Sequence, residues 1–237
     1  MASIKADKIE RVAWKLLTLG AVVVVAGCGP RAERARNNQA HPTRDSTATV
    51  DSEWRGQVEA VAMGRAREIR LDRSGISDEH LAHLRELERL TTLWLPQARV
   101  SDRGLAHLAE LTELEEVVLG ETSVSDASPL ARLAKLRIVN LAESRLSDAE
   151  LGRLAALPDL ELLRIGSPHI TDAGLAHLAK CAKLRFLILR NTPVTDAGLD
   201  HLACLSGLES LYLEGTQVTD DGVARLKQRL PELHIHW

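Results

Sequence analysis

Leucines and other aliphatic residues return along most of this chain in one repeating order, and their spacing changes character within each return. After Asp172 come Leu175, Leu178, Cys181 and Leu184, spaced by three, and then Leu187 and Leu189, spaced by two. After Asp102 the same order reads Leu105, Leu108, Leu111, Leu114, Val117 and Leu119. A spacing of three keeps side chains on one face of a short helix, whereas an alternating L-x-L keeps them on one face of a strand. Each stretch therefore predicts a helix, a turn and a strand.

An aliphatic residue followed by Ser-Asp or Thr-Asp precedes each helical stretch, at Ile76-Ser77-Asp78, Val100-Ser101-Asp102, Val124-Ser125-Asp126, Leu146-Ser147-Asp148, Ile170-Thr171-Asp172, Val194-Thr195-Asp196 and Val218-Thr219-Asp220. The aspartates stand 24, 24, 22, 24, 24 and 24 residues apart, which makes seven units with one shortened. At this place Thr171, Asp172, Thr195 and Asp196 are expected to cap helix N-termini, their oxygens accepting from the first free amides, with Gly174 and Gly198 easing the turn into the helix. The few aliphatic side chains of one unit are too few to offset the entropy of ordering its backbone, so the units have to stack.

The pattern L-x-x-L-x-L-x-x-[ST]-x-[VI]-[ST]-D-x-G-L, carried over residues 69–237, resembles the leucine-rich repeat, in the variant of secreted bacterial repeat lipoproteins and F-box-associated repeats. The resemblance implies an α/β leucine-rich-repeat solenoid, a horseshoe with a parallel sheet on the concave side and short helices on the convex side. The third unit departs from the pattern: DASPLARLAKL is two residues short and carries Pro129, which implies tighter local curvature. No F-box precedes the repeats in this sequence, so a ubiquitin-ligase role does not follow. Residues 51–68 lie outside the repeat and are expected to cap the core, as a hairpin turning at Met63-Gly64. At the other end Leu233, Ile235 and Trp237 share one parity, which predicts Trp237 as the plug of the last core layer.

The first residues follow another rule. A charged start with Lys5, Lys8, Arg11 and Lys15 against Asp7 and Glu10 leads into LLTLGAVVVVA, an uncharged run shorter than the ~20 residues a membrane span needs and suited to a secretory signal. Val25-Ala26-Gly27-Cys28 resembles the lipobox of bacterial lipoproteins. That resemblance implies a signal peptide over 1–27, cleavage before Cys28 and acylation of its thiol, and hence an exported protein anchored to a membrane of the cell envelope, facing the periplasm or the cell surface. Residues 28–50 hold few large apolar side chains and read as a flexible tether.

Composition narrows the chemistry. Only 3% of residues are aromatic, so the core has to be aliphatic. The formal net charge of -3, and the absence of a basic block in the repeats, give no footprint for nucleic acid. Cys181 occupies a consensus Leu position and reads as a small core residue; a Cys181–Cys204 disulfide between neighbouring units is the alternative. His83, His107, His177 and His201 share one place in their units, where Arg153 and Arg225 stand in others, which reads as a solvated position rather than a metal site. His234 and His236 alternate on the last strand and are the other metal candidates. No CxxC pair, HExxH, GxSxG or phosphate-binding loop is present, so no enzyme, metal or cofactor is expected.

The residues between the inward leucines are expected to face outward on the concave sheet. They include Trp94 and the only Phe and Tyr of the chain, Phe186 and Tyr212. Aromatics and arginines are favoured at interface hot spots. Arg164, Phe186, Ile188, Arg190 and Tyr212 should form one exposed patch, with Trp94 ~19 Å away across four strands. The expected function is a membrane-tethered, non-enzymatic module that binds a protein or peptide there; the alternative is a structural envelope scaffold without a single ligand. The open edge of the C-terminal strand is where two copies would pair, and the oligomeric state stays open.

Overall fold

In the computed structural model, which describes residues 44–72, 75–120 and 122–237, the L-x-L segments are strands. They are β1 (Glu68–Arg70), β2 (Thr92–Leu95), β3 (Glu116–Leu119), β4 (Ile138–Leu141), β5 (Leu162–Ile165), β6 (Phe186–Leu189), β7 (Ser210–Tyr212) and β8 (His234–His236). All eight pair in parallel and in chain order, forming one open sheet. Helix α1 (Arg44–Ala62) precedes the sheet, and the chain returns between strands through α2 (Asp78–Leu81), α3 (Asp102–Leu105), α4 (Ser128–Ala131), α5 (Asp148–Leu154), α6 (Asp172–Leu178), α7 (Asp196–Leu202) and α8 (Asp220–Arg229). The expected signal peptide, Cys28 and residues 28–43 of the tether lie outside the described residues.

Strand register lines up Ile69, Leu93, Val117, Val139, Leu163, Leu187 and Leu211 in one row. All seven are fully buried. Leu81, Leu105, Leu151, Leu175 and Leu199 of the helices join them in a single aliphatic spine. Each buried side chain of this kind contributes roughly 1.5–3 kcal/mol, and no large ring is needed to fill so thin a layer.

The Ser/Thr-Asp pairs divide their work differently from the capping expected of both residues. Thr171 and Thr195 do cap, their Oγ1 atoms accepting from the amides of Ala173 and Ala197 at 3.3 Å. The aspartates reach forward into the next unit instead. Asp148 accepts from Thr171 N at 2.8 Å and Thr171 Oγ1 at 2.7 Å, and Asp172 from Thr195 N at 2.8 Å and Oγ1 at 2.6 Å. Asp196 holds Thr219 in the same way, Asp102 holds Ser125, and Asp78 holds Ser101. These charge-assisted bonds fasten consecutive units. They also account for the glycine two residues beyond the aspartate. A Cβ on Gly104, Gly174, Gly198 or Gly222 would lie within 2.4 Å of the preceding unit's Asp Oδ1. The shortened unit differs: Asp126 Oδ1 accepts from Ser128 N at 2.8 Å, and the next unit carries Glu150 in place of glycine, which reaches back to Ala127 N at 2.8 Å.

Both ends depart from expectation. The N-terminal cap is the helix α1 rather than a hairpin, and it begins inside the stretch read as tether. Val50, Trp54, Val58 and Val61 recur at helical spacing and close over the first core layer. Gly64 is not a hairpin turn but a helix stop, at φ 70°, with Met63 N and Arg65 N donating back to Glu59 O and Ala60 O at 2.9 Å. From α1, Gln57 acts as a surrogate strand: its Nε2 donates to Arg70 O at 2.9 Å and its Oε1 accepts from Arg70 N at 2.8 Å. At the C-terminal end Leu233 is buried and Ile235 half-buried, but Trp237 is 57% exposed and donates from Nε1 to Asp220 Oδ1 at 3.1 Å. It plugs nothing, because β8 ends at His236 and the ring turns toward the start of α8.

The disulfide alternative also fails. Cys181 lies in the spine and Cys204 on the surface, and both are free. Burial pushes the Cys181 thiol up to about 11.

Candidate functional site: the concave sheet

Alternate strand residues project from the face opposite the spine in two parallel rows. One row runs Glu68, Thr92, Glu116, Ile138, Leu162, Phe186, Ser210, His234; the other runs Arg70, Trp94, Val118, Asn140, Arg164, Ile188, Tyr212, His236. The rows fall where alternation placed them. Their exposure does not.

Trp94, Val118, Ile138, Leu162 and Phe186 pack into a second apolar cluster, separate from the spine. Trp94 is 3% exposed, Phe186 6% and Ile188 0%. These three residues therefore face the concave side yet form its floor, because in-register side chains only ~4.8 Å apart cover one another. Trp94 is not an isolated outpost: Val118, Ile138 and Leu162 connect it to Phe186. Arg70 lies over the Trp94 ring at 5.2 Å, and Asp72 Oδ1 accepts from its Nε1 at 3.0 Å. Arg70 also reaches Glu68 at 2.8 Å and the buried Glu116 at 3.3 Å. This ion network seals the β1–β3 end of the floor; alternation places Glu68, Asp72 and Glu116 there as an acidic edge, and the structure adds Arg70 as the cation that joins them.

The β5–β8 end stays polar and accessible. Arg164 on β5 is half-buried, and burial, followed by the positive charge of Arg190, holds its guanidinium below its ordinary basicity. Arg190, just after β6, is clamped by Glu214 through two bonds, Nε to Oε2 at 3.0 Å and Nη2 to Oε1 at 3.1 Å. Tyr212 stacks on His236 with ring centroids 4.3 Å apart and planes 3° from parallel, and burial, with a smaller push from Glu214, raises its phenol. Of the six side chains singled out from the sequence, Arg164, Arg190 and Tyr212 can thus meet a partner directly, while Trp94, Phe186 and Ile188 support them.

A pocket of about 370 Å³ opens at the carboxyl ends of β4–β6, lined by Ser144, Arg164, Ile165, Pro168 and Arg190 among others. Its walls combine Arg164 and Ile165 of β5, whose places follow from alternation, with loop residues such as Glu143 and Pro168, which leucine spacing does not place. Among the described residues no three His, Cys, Asp or Glu side chains gather as a metal site, and no helix is long and apolar enough to cross a membrane. His107 receives a hydrogen bond from Arg85 Nε at 2.8 Å on the convex side.

No protein-family model matches the chain, and no curated protein is similar to it in sequence. Solved structures are similar in fold. An internalin of Listeria monocytogenes shares 21% identity over 84% of this chain and 56% of its own, with a TM-score of 0.58. A leucine-rich-repeat protein of Leptospira interrogans shares 19% over 76% of this chain and 51% of its own, with a TM-score of 0.56. A plant peptide hormone receptor in complex with RGF2 shares 14% over 76% of this chain and 30% of its own, with a TM-score of 0.52. The chain spans about half the length of the first two. With eight parallel strands in chain order, each joined to the next through a helix on the other side of an aliphatic spine, its fold is that of a leucine-rich-repeat solenoid.

Proposed function

We propose that this solenoid is a membrane-tethered, non-enzymatic recognition module that holds a protein or peptide on its concave face. The observation that carries the reading is the contrast along that face. A sealed apolar floor spans β2–β6, and at one end Arg164, Arg190 and Tyr212 rise beside it with access to solvent. A rigid base with a few oriented polar groups is what selective binding requires, because little side-chain entropy remains to be lost. Among the proteins of similar fold, one is a peptide hormone receptor in complex with RGF2. The tether belongs to the same proposal and rests on the Val25-Ala26-Gly27-Cys28 sequence, whose acylated cysteine would hold the module on a cell-envelope membrane.

A photo-reactive residue at position 212 of the full chain, in its native membrane, is expected to capture one protein or peptide, and the same residue at the exposed convex position 83 none. Equal capture from both faces would sink the proposal. Cys28→Ser is expected to move the protein from the membrane fraction to the soluble one, and retention on the membrane would remove the tether.

One observation favours a second reading, a structural envelope scaffold without a single ligand. The burial of Trp94, Phe186 and Ile188 shows that much of the concave face is already satisfied by its own side chains. No capture from position 212 would decide for it.

A further inference from the structure

We propose that this chain pairs with a second copy of itself along β8, about a two-fold axis that passes beside Ile235 and Ala224, so that two sheets become one. The pairing goes beyond the recognition role above and does not depend on it.

The backbone of β8 matches its own image. β8 has a neighbouring strand on one side only. His234 N donates to Glu209 O at 2.9 Å and His236 O accepts from Leu213 N at 2.7 Å, so both residues direct their backbone groups toward β7. Backbone groups alternate sides along a strand; Ile235 therefore turns its N–H and C=O the other way, where no described residue meets them. An antiparallel second β8 lets the two Ile235 residues exchange both bonds. The opposite edge of the sheet offers no such place, because Gln57 holds both backbone groups of Arg70. A head-to-tail filament is thereby blocked, and a closed pair remains.

The charges of α8 obey the same symmetry. Asp220, Ala224 and Lys227 are spaced by four and three and share one flank of the helix. Val223 and Leu226 are buried in the spine, and Arg225 turns toward the preceding unit to bond Asp196 at 3.3 Å, which leaves the Asp220–Lys227 flank on the open side of β8. Antiparallel pairing of the strands sets α8 and its copy in opposite directions. Asp220 of each then faces Lys227 of the other, and the small Ala224 lies at the crossing, where a close approach is needed. Strand and helix share the axis. Trp237 Nε1 donates to Asp220 Oδ1 at 3.1 Å, which puts the end of β8 level with the start of α8. Ile235 lies about 7 Å back along the strand, and Ala224 about 6 Å back along the helix.

Side chains of the strand add to the fit. On the spine side the half-buried Ile235 meets Ile235 of the second copy, beside an exposed Trp237 that gains cover. On the concave side His236 stacks on Tyr212, with ring centroids 4.3 Å apart, and His234 of the second copy takes the next place in that row. One operation thus answers the backbone, the helix charges and the side chains, which selects a second copy over an unrelated strand.

Sedimentation of the full chain in density-matched detergent is expected to show a monomer and a dimer, the dimer fraction rising with concentration. Ile235→Pro removes an N–H that β7 does not use, at an edge where proline is tolerated. It is expected to weaken pairing by about tenfold or more with the thermal transition nearly kept. Asp220→Lys sets lysine against Lys227, and Lys227→Asp sets aspartate against Asp220. Each variant alone is expected to stay monomeric where the parent dimerises, and an equimolar mixture to regain the dimer; a folding defect would not be repaired by mixing. In a Cys204→Ser background, a short bismaleimide is expected to join two chains at Ala224→Cys and not at Arg132→Cys, which is exposed on a repeat far from β8. The proposal is overturned by a monomer at every concentration, by oligomers that grow past two, by undiminished pairing of Ile235→Pro, by a mixture no more dimeric than its components, or by equal cross-linking at both positions. No ligand enters these measurements, so their failure is separate from a failure of capture at position 212.

Discussion

Gly222 follows the Asp220-Asp221 pair at the start of α8, where alanine would ordinarily stabilise a helix by about 1 kcal/mol. Here the sign reverses. All three atoms nearest to an added Cβ belong to the Asp196 side chain, the closest at 2.1 Å. Gly222→Ala is expected to destabilise by about 1–3 kcal/mol in urea unfolding, and to lose much less in an Asp196→Ala background, because the obstacle is gone. Additive losses would show that the carboxylate is not what excludes a side chain there. The same carboxylates make the fold sensitive to acid. Burial alone would raise Asp102, but the hydroxyl and amide of Ser125 and the amide of Asp126 hold it below the ordinary carboxyl value. A group depressed in the folded state stabilises fully above its unfolded value, near pH 4, and that contribution disappears as pH falls through the lower folded value. Stability measured by urea midpoint should therefore decline below about pH 4, with a shallower decline in Asp102→Asn. An equal acid slope in both proteins would remove Asp102 from the account.

Among the elements, the ones with a strict aliphatic period were legible from the chain alone. The repeat helices and strands, their order and the outward rows of residues all follow from spacings of three and two, because burial of Leu187 or Leu163 depends on nothing but that spacing. Helix α1 was not legible as a helix. Its apolar positions, Val50, Trp54, Val58 and Val61, are few, they belong to no repeat, and Met63-Gly64 carries the same glycine signal whether a turn or a helix end follows. The clearest consequence of α1 is its treatment of the sheet edge. Gln57 satisfies both backbone groups of Arg70, so β1 offers no free pair there to another chain. Gln57→Leu should cost about 1–2 kcal/mol and promote self-association at high concentration, read by size-exclusion chromatography. An unchanged elution and melting temperature would show that the edge needs no cover.

At the scale of the whole molecule, the solenoid has two apolar layers, one on each side of a single sheet, and only the inner one could be anticipated. Outward-pointing strand residues are exposed on a flat isolated strand, but eight strands in strict register bring Trp94, Ile138, Leu162 and Phe186 close enough to bury one another. An exposed Phe186 would be removable at little cost. As part of a closed floor, Phe186→Ala should instead lower stability by about 3–5 kcal/mol, a loss comparable with a spine substitution such as Leu187→Ala. A thermal transition within a degree or two of the parent would mean that the floor contributes little. The candidate site was legible in part for the same reason: alternation located Arg164, Arg190 and Tyr212 on the correct face, while packing across strands decided which neighbours remained open.

The forward reach of each aspartate also gives the units a grammar. A unit that opens with glycine two places after its aspartate is shaped to receive a carboxylate from the unit before it, whereas the unit beginning at Asp148 carries Glu150 at that place and is shaped to follow the shortened one. The modules are therefore not interchangeable beads. Duplicating the stretch that begins at Asp172 should extend the array smoothly, and transplanting the Asp148 stretch behind it should jam at a single side chain.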